Sequence, residues 1–255
     1  MSQILENRNA LITGGGTGIG AAVAHRLARA GALVTLLGRR VEPLAATAAQ
    51  LGSGHGYVVA DVADEAAVRE AFIQARAARG TVKILVNAAG LAQSAPAAQT
   101  SLDLWSRAIA VNLTGTFLCS RELLGQLPKT VEGRIINIAS TAGLRGYSYV
   151  TAYCAAKHGV IGYTRALAQE LARRRVTVNA VCPGYTQTPL LGEAIENIVR
   201  TTGRSAEEAR QDLVRSNPQG RFVQPAEVAE AVYWLCLPEA SSVTGTAVPV
   251  AGGEV

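Results

Sequence analysis

Short apolar runs alternate with longer amphipathic stretches along most of the chain. Ala10 to Thr13, Leu33 to Leu37, Tyr57 to Ala60, Ile84 to Val86, Ile135 to Ala139 and Val176 to Val181 have the length and near-continuous apolar character of strands buried on both faces. Between them, apolar residues recur at helical spacing from Ala21 to Ala30 and over residues 65 to 79, 103 to 127 and 152 to 173. Ala226 to Leu237 predicts another helix, and Thr246 to Val250 a last strand. Strand alternating with helix implies α/β architecture, with a parallel sheet covered on both faces in three layers. Ligands of such sheets sit beyond the carboxyl ends of the strands. Every predicted strand but the last ends at small or polar residues, among them Asp61-Val62, Asn87-Ala88-Ala89-Gly90, Ser140 and Cys182-Pro183-Gly184.

The first strand stops at Gly14-Gly15-Gly16-Thr17-Gly18-Ile19-Gly20, immediately before a helix. Glycines there let a pyrophosphate approach the backbone closely, and the free amides of a helix start favour negative charge. A plain tight turn is the competing explanation, but the position between strand and helix favours a Rossmann-type, doubly wound dinucleotide fold. The second strand ends in Gly38-Arg39-Arg40, where an acid would hydrogen-bond the adenosine ribose. Two guanidinium groups suit a 2'-phosphate instead, so NADP(H) is expected over NAD(H), with NAD(H) still open.

Tyr153 and Lys157 lie four apart in a predicted helix, so both side chains can face one cleft. A phenol ionises near pH 10 unless a neighbouring cation favours the phenolate, which Lys157 can supply. On spacing alone the pair is better explained by a half-buried ring and a solvated ammonium.

Taken together, these segments resemble the short-chain dehydrogenase/reductase family over nearly the whole chain. Thr13-Gly14-xxx-Gly18-Ile19-Gly20 matches its cofactor loop, and Asn87 to Gly90 matches its Asn-Asn-Ala-Gly segment with Ala88 changed. Asn112, Ser140, Tyr153 and Lys157 match its catalytic four, and Pro183-Gly184 with Thr188 its nicotinamide-side loop. Ala251 departs from the Asp that commonly precedes two glycines there. The resemblance implies that Tyr153 exchanges a proton with the substrate oxygen while a nicotinamide hydride reaches or leaves the carbon. It further implies that Lys157 depresses the tyrosine pKa and holds the nicotinamide ribose, that Ser140 hydrogen-bonds the substrate oxygen, and that Asn112 anchors a relay water. Asp61 and Val62 are expected at the adenine, Asn87 to Gly90 along the ribose, and Thr186 and Thr188 at the carboxamide. Asp61 has a competing role as a helix cap, for which Asp64 is better placed.

Leu91, Leu144, Tyr147, Tyr185, Leu190 and Leu191 are the expected apolar substrate pocket, unless they are simple core. Residues from about 188 to 222 follow the nicotinamide loop and suit a substrate lid of two helical pieces split at Gly203-Arg204-Ser205, with a turn at Asn217-Pro218. Its Arg200, Arg204, Arg210 and Arg215 would favour a coenzyme A or acyl-carrier thioester if they ring the mouth, though ordinary helix surface is the better explanation. Residues 136 to 184 look most like polyketide ketoreductases and 3-oxoacyl thioester reductases. The lid resembles that of 3-hydroxybutyrate dehydrogenases, an alternative that uses NAD, but those enzymes usually carry a lysine where this chain has Val150. A non-catalytic NADP sensor on the same fold is the rival from another class.

At 255 residues and 49% hydrophobic, the chain is expected to form one domain over residues 1 to 255. The net charge of +5 comes from scattered arginines without interleaved aromatics, which disfavours nucleic acid. Arg173-Arg174-Arg175 reads as the dipole-matched end of the helix carrying Lys157. Cys119, Cys154, Cys182 and Cys236 show no paired spacing, and His25, His55 and His158 no metal-ligand spacing. With neither a signal-peptide pattern nor a bilayer-length apolar run, a cytoplasmic enzyme is expected, and the resemblance implies a homotetramer.

Overall fold

A computed structural model describes residues 4–255. Seven strands form one parallel sheet: β1 (Asn9–Thr13), β2 (Leu33–Gly38), β3 (Gly56–Val59), β4 (Val82–Asn87), β5 (Gly133–Ile138), β6 (Val176–Pro183) and β7 (Ala247–Val250). Their order across the sheet is β3-β2-β1-β4-β5-β6-β7. Winding therefore reverses between β1 and β4, which pair directly from Asn9 to Thr13. A strand's side chains alternate between faces, so β1 feeds two cores. Ala10 and Ile12 join α1 (Gly18–Arg29) and α9 (Pro225–Cys236) through Val23, Leu27, Val228 and Val232. Leu11 faces the opposite layer with Phe72 of α3 (Glu65–Arg79), Leu118 and Leu123 of α5 (Gly115–Gln126) and Leu167 of α6 (Thr151–Glu170). Further helices are α2 (Val41–Leu51), α4 (Leu102–Ile109), α7 (Pro189–Thr202) and α8 (Ala206–Val214).

Three differences from the sequence expectations have physical causes. The helix α2 is additional, and Arg40 is its N-cap residue. The expected continuous helix over 103 to 127 is broken by a π turn at Ala110–Thr114. There Asn112 Nδ2 donates to the Ala108 carbonyl at 2.9 Å and Thr116 Oγ1 to the Asn112 carbonyl at 3.0 Å, so side chains replace part of the regular ladder. The helix α6 stops at Glu170, before the three arginines. Arg174 instead donates to the Leu127 carbonyl at 3.1 Å and Arg175 pairs with Glu132 at 2.8 Å, so they tie down a turn and do not complement a helix dipole.

Candidate active site

A cleft of about 1010 Å³ opens at the carboxyl ends of the strands, where the winding reverses. One end is built by the turn from β1 to α1. Gly14 has φ +65°, and a Cβ on Gly20 would lie 2.2 Å from the Gly14 carbonyl oxygen, so only glycine permits this turn to fold back on the helix. No side chain caps α1 at Thr17, which leaves its first amides free beside the cleft. Gly14, Thr17, Gly18, Ile19 and Gly20 all line it. Farther out along the same wall come Arg39, Arg40, Asp61 and Val62. Asp64 caps α3 by accepting from the amides of Ala66 and Ala67, leaving Asp61 to face Arg39 at 3.7 Å.

Ala88, Ala89 and Gly90 line the middle of the cleft, but Asn87 does not. Its side chain turns beneath the sheet end and donates to Asn137 Oδ1 at 2.8 Å, while Asn137 donates to Thr164 Oγ1 at 2.9 Å. Asn87 is thus a buried strut below the cleft wall, a correction to its expected place along the ribose. Thr13 is a missed supporting residue: its Oγ1 accepts from the amides of Ala88 at 3.0 Å and Ala89 at 2.9 Å, fixing the end of β4 to that of β1. A threonine ending the strand before the glycines was the available signal.

Tyr153, Lys157 and Ser140 converge on the cleft. The Lys157 ammonium stands 5.5 Å from the Tyr153 ring centroid and donates to the Ile138 carbonyl at 2.8 Å. Ser140 ends β5 and caps the short turn Thr141–Gly143 by accepting from the Ala142 amide at 3.1 Å. Burial pushes the Tyr153 phenol up to about 12, although the Ser140 hydroxyl beside it favours the anion. Burial pulls the Lys157 ammonium down to about 8. Loss of hydration, and not the expected depression by Lys157, is the largest influence on the phenol, so its neutral form is favoured. Asn112 is buried behind the cleft, not on its wall. Its Oδ1 accepts from the Leu91 amide at 3.3 Å and its Nδ2 donates to the Leu91 carbonyl at 3.0 Å, clamping the loop after β4.

Pro183, Gly184, Thr186 and Thr188 form the opposite lip, and Thr188 also caps α7. Leu91, Tyr147, Tyr185, Leu190 and Leu191 line the remaining end, together with Val150. Leu144 does not: it packs beside Val160 and Ile161 as core. Tyr149, unpredicted, is 64% exposed on this wall with φ +66°, and its carbonyl accepts from the Ala95 amide at 2.8 Å. The helices α7 and α8 are split at Gly203, and Asn197 of α7 donates to Ser94 Oγ at 2.6 Å across the cleft. The cationic mouth does not materialise. Arg204 and Arg215 pair with Asp212, Arg210 lies over Phe222, and only Arg200 of the four reaches the cleft, beside Glu193 and Glu196.

A family model described as short chain dehydrogenase matches residues 8–198. The chain belongs to the short-chain dehydrogenase family. This dehydrogenase is a nicotinamide-dependent oxidoreductase that interconverts a ketone and a secondary alcohol. It is 44% identical over 252 residues to a Streptomyces violaceoruber protein named as ketoacyl reductase 1 of the granaticin polyketide synthase, covering 96% of this chain and 92% of that one. It is 36% identical to the 3-oxoacyl-acyl-carrier-protein reductase FabG of Aquifex aeolicus, covering 98% of both chains. A crystal structure of a variant actinorhodin polyketide ketoreductase with NADPH superposes at a TM-score of 0.93, with 38% identity and coverage of 100% of this chain and 99% of that one.

Proposed function

We propose that this dehydrogenase is an NADP(H)-dependent ketoreductase acting on a hydrophobic carbonyl compound of the 3-oxoacyl type. The observation that carries the proposal is one continuous cleft with the uncapped glycine turn and Arg39-Arg40 at one end and Ser140, Tyr153 and Lys157 farther along it. The cradle fits a dinucleotide: free amides meet the pyrophosphate, and two guanidinium groups meet a 2'-phosphate. NADP(H), when bound, supplies or takes up the hydride. Tyr153 delivers the accompanying proton to the carbonyl oxygen during reduction and recovers one in the reverse direction. Its neutral form is the stable one here, which suits donation. Ser140 hydrogen-bonds the same oxygen and favours the negative charge that develops there. Lys157 holds the nicotinamide ribose, while Asn112 keeps the loop at Leu91 in place and anchors a relay water behind Lys157.

The proposal extends to the site's surroundings. Asp61 and Val62 flank the adenine, with Thr186 and Thr188 at the carboxamide. Tyr147, Tyr185, Leu190 and Leu191 receive the substrate beneath a lid made by α7 and α8. Val150 offers no charge to a free carboxylate, which sets small hydroxy acids aside. The names of the granaticin, FabG and actinorhodin relatives support both the substrate class and NADPH. Four free thiols support a cytoplasmic setting. Leu102, Trp105 and Phe117, exposed at 79%, 40% and 41% on α4 and α5, support a homotetramer.

Purified protein should oxidise NADPH with members of a panel of ketones and 3-oxoacyl thioesters, and use NADH less well. Replacing Tyr153 by Phe should lower kcat by about 10²- to 10⁴-fold while leaving NADPH binding intact, because only proton transfer is removed. Nucleotide binding without turnover on any member would favour the sensor, and a preference for NADH would defeat the role of Arg39.

A further inference from the structure

We infer that Glu254, outside the cleft, is a positioning residue that sets the aromatic substrate wall through Tyr147; this rests on the ketoreductase reading above. After β7 the chain turns back through Gly252 and Gly253, whose φ values of +62° and +92° belong to the left-handed region. That reversal carries the Glu254 side chain in behind the cleft. Its Oε1 accepts from the Tyr147 hydroxyl. A carboxylate can only accept, so the phenol proton points to Glu254, and Tyr147 Oη takes the Thr141 hydroxyl, at 2.8 Å, as its donor. Thr141 directly follows Ser140 and opens the short turn that Ser140 caps. One chain of hydrogen bonds thus runs from Glu254 through Tyr147 to the residue beside the oxygen-binding serine.

Three further contacts make this a built arrangement. Arg145 lies over the Tyr147 ring, 4.9 Å from its centroid, and donates to the Glu254 carbonyl at 3.4 Å. Tyr147 packs edge-on against Tyr185 at 6.4 Å, so fixing one ring fixes its neighbour on the opposite lip. A Cβ on Gly184 would lie 3.0 Å from Glu254 Oε2, which places the carboxylate between the loop after Ser140 and the loop after β6. Glu254 touches the reacting atoms nowhere; it acts by choosing where two tyrosine rings stand. A wall contact contributes similarly to ground and transition states, so its loss should appear in KM for the carbonyl compound and not in kcat.

The test compares Glu254→Ala, Glu254→Gln, Tyr147→Phe and the Glu254→Ala/Tyr147→Phe pair with wild type, using the panel member that wild type reduces fastest. Glu254→Ala and Tyr147→Phe should each raise its KM about tenfold, with kcat and the KM for NADPH within about twofold of wild type. The double variant should be no worse than either single one, since both remove the same link. Glu254→Gln, whose amide oxygen still accepts from the phenol, should restore most of the affinity. An unchanged KM, additive effects, or a parallel loss of kcat, NADPH affinity and melting temperature in Glu254→Ala and Glu254→Gln alike would overturn the positioning role. No wild-type turnover on any panel member would defeat the ketoreductase reading itself, whereas wild-type turnover with indifferent variants would defeat only this inference.

Discussion

Tyr153 and Lys157 are shifted in opposite directions by the same cause, removal from water. The phenol at about 12 stays protonated through the neutral range, whereas the ammonium at about 8 starts to lose its charge just above it. On the roles proposed for them, reduction needs both in their protonated forms. Reductive kcat/KM should therefore be flat from about pH 6 to 7.5 and fall above about pH 8, as Lys157 deprotonates. A pH–rate profile with NADPH checks this, and a profile flat to pH 10 would show that Lys157 charge is not required. The residue types that meet at the cleft were legible because a tyrosine and a lysine one helical turn apart, a strand-end serine and a glycine turn occur in order. Their electrostatics were not legible, because burial depends on Ile138, Cys182 and other residues distant along the chain. Leu144 and Asn87 went astray for a similar reason: a sequence places a residue at a strand end or in a loop but does not say which way the side chain turns.

Among the elements, strands were the easiest to foresee, since a run of Val, Ile and Leu a few residues long has few other uses in a three-layer fold. Helix ends were harder. The π turn at Ala110–Thr114 leaves the helical apolar spacing on either side almost unchanged, and it exists because Asn112 and Thr116 bond carbonyls within the helix. The start of α9 is fixed by Glu227, which accepts from the Gln224 amide at 2.7 Å and from both terminal nitrogens of Arg221. These contacts hold its carboxyl down to about 2. A carboxylate lowered in the folded state stabilises above its ordinary value of 4.5 and loses that contribution as pH falls toward 2. Glu227→Gln should lower stability by about 0.5–1 kcal/mol at pH 7, the range for a cap and a surface ion pair. Urea unfolding at pH 7 and at pH 4 should show the gap between variant and wild type narrowing at the lower pH; a gap that widens would contradict the assignment.

For the whole molecule, a parallel sheet covered on both faces follows from the alternation of strand and helix, yet the surface left over does not. Leu102 at 79% exposure, Trp105 and Phe117 are large apolar groups on α4 and α5, and Trp234 is 44% exposed on α9. Such groups on two separate faces fit the proposed tetramer, which needs two kinds of contact. Light scattering coupled to size exclusion should give about four times the chain mass of 26.5 kDa, and a monomer would refute it. Among the described residues no helix is long and apolar enough to cross a membrane.

The pairing of β1 with β4 has one more consequence. Residues up to Val62 line one end of the groove, the end proposed for the nucleotide, and residues from Gly90 onward line the other, so two separate stretches of chain meet along a single seam. On the proposed roles, the first stretch meets the adenosine half of the coenzyme and the second meets its nicotinamide half and the carbonyl compound. Grafting the first stretch from a relative with a different coenzyme choice should then change that choice more than the range of carbonyl compounds accepted.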